Sequence, residues 1–224
     1  MKKRAKFDSK KALYGENPVY LYGLLDKYTV HVAKGVYNLG FTPNQVTIFN
    51  LFIGMGAIAL MFFYRTYWSF IAAAILITLR NLGDTIDGKI ARGGNMKSSL
   101  GGFLDITTDW ILFHSAFFIA VGYITENVAI GYLCVIAYMS REFTRTKFTY
   151  FYGKKITGTN EAKEMSKLVS LARKYDLAAV FLLIPIFLLL NQLAFIIYFV
   201  LIAEIILFTG ELGIDLKLLL SKKK

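Results

Sequence analysis

The chain reads as an all-α polytopic membrane protein, with six transmembrane helices preceded by an amphipathic helix in the interface. Three observations predict this class. Its 224 residues are 56% hydrophobic and 16% aromatic, with a mean hydropathy of +0.50, which is too apolar for a soluble domain of this size. The apolar residues gather into runs of about 20, the length of helix that crosses roughly 30 Å of hydrocarbon. The 26 Lys and Arg residues almost completely avoid one set of connections between those runs.

Residues 1–40 are expected to form a cytoplasmic N-terminal segment. Met1-Lys2-Lys3-Arg4 leads into a polar stretch rather than a short apolar core ending at small residues, so no cleavable signal peptide is expected and the segment belongs to the mature protein. Leu21, Leu24, Leu25, Tyr28, Val32 and Val36 recur at three- and four-residue intervals, with Asp26, Lys27, His31 and Lys34 on other faces. That pattern predicts a helix lying in the membrane interface. Thr42-Pro43-Asn44-Gln45 then combines a T-x-x-Q capping box with Pro at the first helical position, a sound start for the first span.

Residues 41–224 are read as one transmembrane domain with spans near 44–63, 68–91, 101–123, 128–150, 175–191 and 193–211. Only Asn191-Gln192 separates the last two, which predicts a tight helical hairpin, with Pro185 a source of a kink in the fifth. Arg65 alone falls in a connection on one side, whereas Lys89, Arg92, Lys97, Lys154, Lys155, Lys163, Lys167, Arg173 and Lys174 flank connections on the other. By the positive-inside rule, both termini and the 92–100 and 151–174 loops are cytoplasmic in a cell-membrane protein. The net charge of +11 then reflects orientation and attraction to anionic headgroups, and no nucleic-acid partner is expected. A single Cys134 excludes an internal disulfide, and His31 and His114 lack the neighbours of a zinc site.

The chemistry concentrates in four carboxylates, Asp84, Asp87, Asp105 and Asp109, set in segments otherwise apolar enough to span. Charged groups in hydrocarbon cost several kcal/mol, so such a cluster asks for a cation. Asp84 and Asp87 are three residues apart on the second span, and Asp105 and Asp109 four apart on the third; each pair projects from one helical face. Two helices can therefore aim four carboxylates at one point, where they would repel strongly unless divalent cations neutralised them. Oxygen ligands without His or Cys indicate Mg²⁺, Mn²⁺ or Ca²⁺. Gly88 removes a side chain where a phosphate or nucleotide would approach the helix, Gly101 opens the third span in the same way, and Arg92 could grip phosphate oxygens with its planar fork. Taken singly, such aspartates read as helix caps, the glycines as packing notches and Arg92 as a topology marker. Their joint spacing, D-x2-D-G-x2-A-R-x8-G-x3-D-x3-D, carries the weight.

That spacing resembles the CDP-alcohol phosphatidyltransferase family, over the region from Pro43 to Asp109, and the six-span plan resembles it across the whole chain. The resemblance implies that a hydroxyl attacks the lipid-bearing phosphorus of CDP-diacylglycerol, or its ether equivalent, and that CMP leaves. It implies that Asp84, Asp87 and Asp105 are metal ligands, and that Asp109 binds or borders metal while serving as base. It further implies Mg²⁺ or Mn²⁺, two ions per site, and a homodimer. The family's P-N-x-x-T element corresponds to Pro43-Asn44-Gln45-Val46-Thr47, so Asn44, Gln45, Val46 and Thr47, with Gly88, Arg92 and Ser98, are the residues expected to contact the CDP moiety.

The acceptor alcohol stays open. Arg141, Arg145, Lys147, Lys154, Lys155, Lys163, Lys167, Arg173 and Lys174 suit an anionic acceptor such as glycerol 3-phosphate or an inositol phosphate, and Lys154 and Arg173 fall where phosphate-accepting relatives place basic contacts. Topology alone also explains such a set. Thr149 stands where glycerophosphate-using relatives carry Arg, and Trp110 where many relatives of the family do, which leaves serine, inositol, ethanolamine or another alcohol open. The family's other branch, coupling a CDP-linked alcohol to diacylglycerol, is the competing reading, and an ion-coupled carrier is a remote one.

Overall fold

A computed structural model of the chain describes residues 5–13, 20–156 and 177–221, and every regular element among them is helical. A single turn, α1 (Ser9–Ala12), starts at Asp8, whose carboxylate accepts the Lys10 and Lys11 amides. Then come α2 (Tyr20–Asn38), α3 (Pro43–Tyr64), α4 (Tyr67–Gly93), α5 (Ser99–Ile124), α6 (Val128–Ile156), α7 (Leu177–Leu189) and α8 (Leu193–Ser221). Within α5 the stretch Thr107–His114 is π-helical.

Four of these, among the described residues, are long and apolar enough to cross a membrane: α3, α4, α5 and Leu193–Lys217 of α8. They start and stop close to where the sequence places its first, second, third and sixth spans, although α8 continues to Ser221, ten residues beyond the expected end at 211. The expected fourth and fifth spans fall on α6 and α7. The former carries Arg141, Glu142, Arg145 and Lys147 in its middle, and the latter is described over 13 residues, fewer than the roughly 20 that a crossing needs.

The capping box read at Thr42 is present. The Thr42 hydroxyl accepts the Gln45 amide and the Gln45 side-chain oxygen accepts the Thr42 amide, with Pro43 in the first turn. Thr66 and Ser69 cap α4 in the same way. At the end of the bundle opposite these α3 residues, the connections after α3, α5 and α7 each turn through a left-handed residue: Arg65 (φ 48°), Glu126 (φ 59°) and Asn191 (φ 54°). Two side chains tie those turns together, Tyr67 donating to the Leu189 carbonyl at 3.1 Å and Tyr198 to Asn127 at 2.8 Å.

The main core runs between α3, α4, α5, α6, α7 and α8, with Met61, Ile77, Phe113, Phe117, Phe118, Ile184, Leu188 and Ile197 fully enclosed. A smaller core gathers at the other end, where Phe7, Ala12, Val30, Ala33 and Tyr37 pack on Ile90 of α4. Tyr37 donates to the Ala5 carbonyl, and Asp26 of α2 pairs at 2.6 Å with a buried Lys89. Gly93 and Gly94 make room for this packing, since a methyl group at either would run into Phe7 or Tyr37. Residues 5–13 and α2 are thereby each fastened to the end of α4 that carries the aspartates. On α2 the same side chains that face inward leave Tyr28 and Val32 exposed.

Buried charge also links α6 to α8. Arg141 is wholly enclosed and donates to both oxygens of an equally enclosed Glu204 at 3.0 and 3.1 Å, with Glu211 at 3.4 Å. In sequence Arg141 counts among basic residues at the inner end of a span, suited to an acceptor. In the fold it is engaged by Glu204, a partner 63 positions away.

Candidate active site

Helices α3 and α5 begin, and α4 ends, at the same end of the bundle, and their first and last turns surround a cavity of about 260 Å³. From α3 come Pro43, Asn44 and Thr47; from α4, Asp87, Gly88, Ala91 and Arg92; from the connection and α5, Met96, Lys97, Ser98, Gly101, Gly102 and Asp105. Ser98 starts α5, its hydroxyl accepting the Gly101 amide at 3.0 Å. A methyl group on Gly101 would press against the Asn44 and Ser98 side chains at 3.1 and 3.2 Å, so glycine lets the two helix starts converge. At Gly88 only the Arg92 guanidinium comes near, 3.1 Å from where a Cβ would stand. The α4 backbone there faces the cavity with one cationic fork folded over it.

Asp84, Asp105 and Asp109 each present an oxygen such that all three lie within 4.8 Å of one another. Three carboxylate oxygens this close together have the donor chemistry to hold one hard dication. Asp87 stands outside this triplet. Its buried carboxylate accepts the Thr47 hydroxyl at 2.6 Å and faces the cavity. Asp105 belongs to both groups, lining the cavity and completing the triplet.

The expected nucleotide-contacting set divides. Asn44, Thr47, Gly88, Arg92 and Ser98 line the cavity. Gln45 is turned into the α3 cap, and Val46 packs toward the Phe7–Tyr37 core, because consecutive positions on a helix face different ways. Lys154 lies in the last turns of α6, its side chain outside the described residues, and Arg173 lies outside them altogether.

One participant was not anticipated. Arg80, one turn before Asp84 on α4, is 4% exposed. Its guanidinium donates to Asp109 and stands 4.0 Å from Asp84. It lies over the Phe113 ring, 4.5 Å from the centroid, and Phe113 in turn fills the notch left by Gly54 on α3. The signal available in the sequence was an Arg four residues before the first Asp, inside a span, where an unpaired cation is not tolerated.

Fold and site define a class: a helical membrane protein that gathers carboxylates beside an open cavity at one end of its bundle. Comparison with known proteins makes the class specific. A family model described as CDP-alcohol phosphatidyltransferase matches residues 41–209, and the chain belongs to that family. It is 37% identical over 79 residues to an archaetidylinositol phosphate synthase of Pyrococcus horikoshii, covering 35% of this chain and 39% of the relative. It is 32% identical over 82 residues to a CDP-diacylglycerol–glycerol-3-phosphate 3-phosphatidyltransferase of Blochmanniella floridana, covering 37% and 41%. An uncharacterized protein of Aquifex aeolicus is 41% identical over 76 residues, covering 34% and 35%. The matched stretch thus spans less than half the length of each of these relatives.

Proposed function

We propose that the protein moves the phosphatidyl group of CDP-diacylglycerol, or its ether-lipid equivalent, onto a hydroxyl of a small phosphorylated alcohol such as glycerol 3-phosphate or an inositol phosphate, with release of CMP. The observation that carries this reading is the double membership of Asp105 in the cavity and in the carboxylate triplet. A pyrophosphate seated against Gly88 and Arg92 has its charge directed at the acidic cluster, while the cytidine occupies the space between Asn44, Thr47 and Ser98. The phosphorylated acceptor is favoured by the names of the Pyrococcus and Blochmanniella relatives.

Asp84, Asp87 and Asp105 would hold Mg²⁺ or Mn²⁺, two ions with Asp109 at the border. Such ions neutralise the pyrophosphate and make the phosphorus under attack more electrophilic. The chain's own residues supply the rest. Arg92 donates to phosphate oxygens through its fork. Thr47 keeps the Asp87 carboxylate facing the cavity. Asp109 takes the proton from the attacking hydroxyl, a poor nucleophile at neutral pH without a base within hydrogen-bond reach. Lys154 and Arg173 are the residues proposed to meet the acceptor's phosphate.

In the bilayer, α3 to α8 make six crossings, with residues 41–224 as the catalytic domain and 1–40 as an accessory segment. Support comes from the three left-handed turns at one end and the whole candidate site at the other. The distribution of basic residues supports a cytoplasmic site and cytoplasmic termini under the positive-inside rule. Tyr28 and Val32, exposed on α2, face lipid at that surface.

The test is a CMP-release screen with the full chain in liposomes, labelled CDP-diacylglycerol, Mg²⁺ and a panel of alcohols and phospho-alcohols. Release with a phosphorylated polyol, abolished by chelation, is the expected outcome. Turnover that requires a CDP-linked alcohol and diacylglycerol instead would reverse the direction, and turnover indifferent to chelation would remove the metals.

A further inference from the structure

We propose that Arg80 is a positioning residue that separates the roles of the aspartates: within the acidic triplet its guanidinium competes with a divalent cation for Asp109, so that a bound ion is drawn toward Asp84 and Asp105, and Asp109 stays oriented toward the alcohol. The inference rests on the metal reading given above.

Four carboxylates of one charge surround the site, and nothing in their own chemistry makes one a base and the others ligands. The environment has to do so: Thr47 sets Asp87 apart, and within the remaining triplet Arg80 is the asymmetric feature. Its Nη2 donates to Asp109 Oδ1, whereas the oxygen of Asp84 is 4.0 Å away, beyond a hydrogen bond. The guanidinium cannot drift toward Asp84. Phe113 lies beneath its face at 4.5 Å, and Nη1 donates to Asn81 at 3.2 Å. Gly54 admits the Phe113 ring, with the Arg80 stem 3.5 Å from where a Cβ on Gly54 would stand. A cation held this firmly, 5% exposed at its side chain, repels a dication most strongly at the Asp109 oxygen it touches and less at Asp84, 4.0 Å away, with little screening. It also pins one oxygen of Asp109, so that this carboxylate keeps a fixed orientation while the others close on metal.

The two consequences pull in opposite directions, and this distinguishes the role from a structural one. Removing the positive charge should tighten metal binding while slowing the reaction. The experiment is Mn²⁺ titration followed by electron paramagnetic resonance on the full chain in detergent, beside CMP-release kinetics, for the wild type, Arg80→Met and Arg80→Lys. Arg80→Met is expected to bind Mn²⁺ about tenfold more tightly, since a fixed like charge is gone. Its kcat should fall about 100-fold, with KM for the CDP-lipid within about threefold, as for a misplaced reacting group. Arg80→Lys, which keeps the charge, should return Mn²⁺ affinity to the wild-type value. Arg80→Gln gives the same reading should the Met variant not survive purification.

Mn²⁺ affinity equal to or weaker than wild type in the neutral variants overturns the inference, as does a Lys variant that binds as tightly as they do. Absence of Mn²⁺ binding in the wild type overturns the metal reading and this inference with it. Binding in the wild type that ignores Arg80 overturns this inference alone.

Discussion

The Thr47 hydroxyl donates to Asp87 Oδ2 across 2.6 Å, joining the first turns of α3 to the last turns of α4 inside the cavity wall. Both side chains are buried, at 7% and 5% exposure, so the carboxylate has little water to replace a lost donor. Thr47→Val keeps the shape and removes the donor. It should raise the dissociation constant of Mg²⁺-dependent CDP binding by about tenfold and destabilise the fold by about 1–3 kcal/mol, whereas Thr47→Ser should stay near wild type. Calorimetric CDP titration with and without Mg²⁺ checks both.

Asp109→Asn keeps the hydrogen-bonding shape at the Arg80 contact and abolishes a proton acceptor. Turnover should drop by at least about 100-fold, the usual contribution of a general base, while CDP binding changes little. Turnover close to wild type in the CMP-release assay would remove Asp109 from that role.

Gly83 on α4 meets Asn50 on α3 so closely that a Cβ there would overlap the Asn50 amide. Gly83→Ala should cost about 1–3 kcal/mol through overpacking. Adding Asn50→Ala, which vacates the space, should recover most of that loss. Thermal unfolding of the single and double variants in detergent measures the coupling, and additive losses would contradict the contact.

The enclosed Arg141–Glu204 pair makes the opposite kind of prediction, because the damage comes from breaking it on one side. Arg141→Met leaves Glu204 buried without its cation and should destabilise by about 3–5 kcal/mol, whereas Arg141→Met with Glu204→Leu should restore much of the stability. The same unfolding measurement reads both, and equal losses in the single and double variants would show that the pair is not the cause.

Much of this arrangement was legible in the amino-acid order, and the parts that were not share a physical reason. Spans α3, α4 and α5 and the Thr42 cap follow from local periodicity; of the four carboxylates that helical spacing aims at one point, Asp84, Asp105 and Asp109 come together and Asp87 is drawn aside to Thr47. Arg141 and Arg80 depend on partners distant in sequence, Glu204 by 63 positions and Asp109 by 29. In the amino-acid order Arg141 is one of several basic residues near the inner end of a span, and Arg80 is assigned no role. Gln45 and Val46 were grouped with Asn44 and Thr47 by motif, though only the latter two share the cavity-facing side of α3. Hydropathy reads the charged Glu211 as the end of the last span, whereas α8 continues through it to Ser221 and Glu211 reaches Arg141.

The π-helical stretch Thr107–His114 admits an additional residue per turn, a device frequent at functional sites. It puts a phase change in the middle of α5. Ahead of it, Asp105 lines the cavity with the ends of α3 and α4; behind it, Phe117, Phe118 and Val121 belong to the apolar core. One continuous rod thereby serves two geometric demands, its acidic half turned to the cavity and its apolar half to the core.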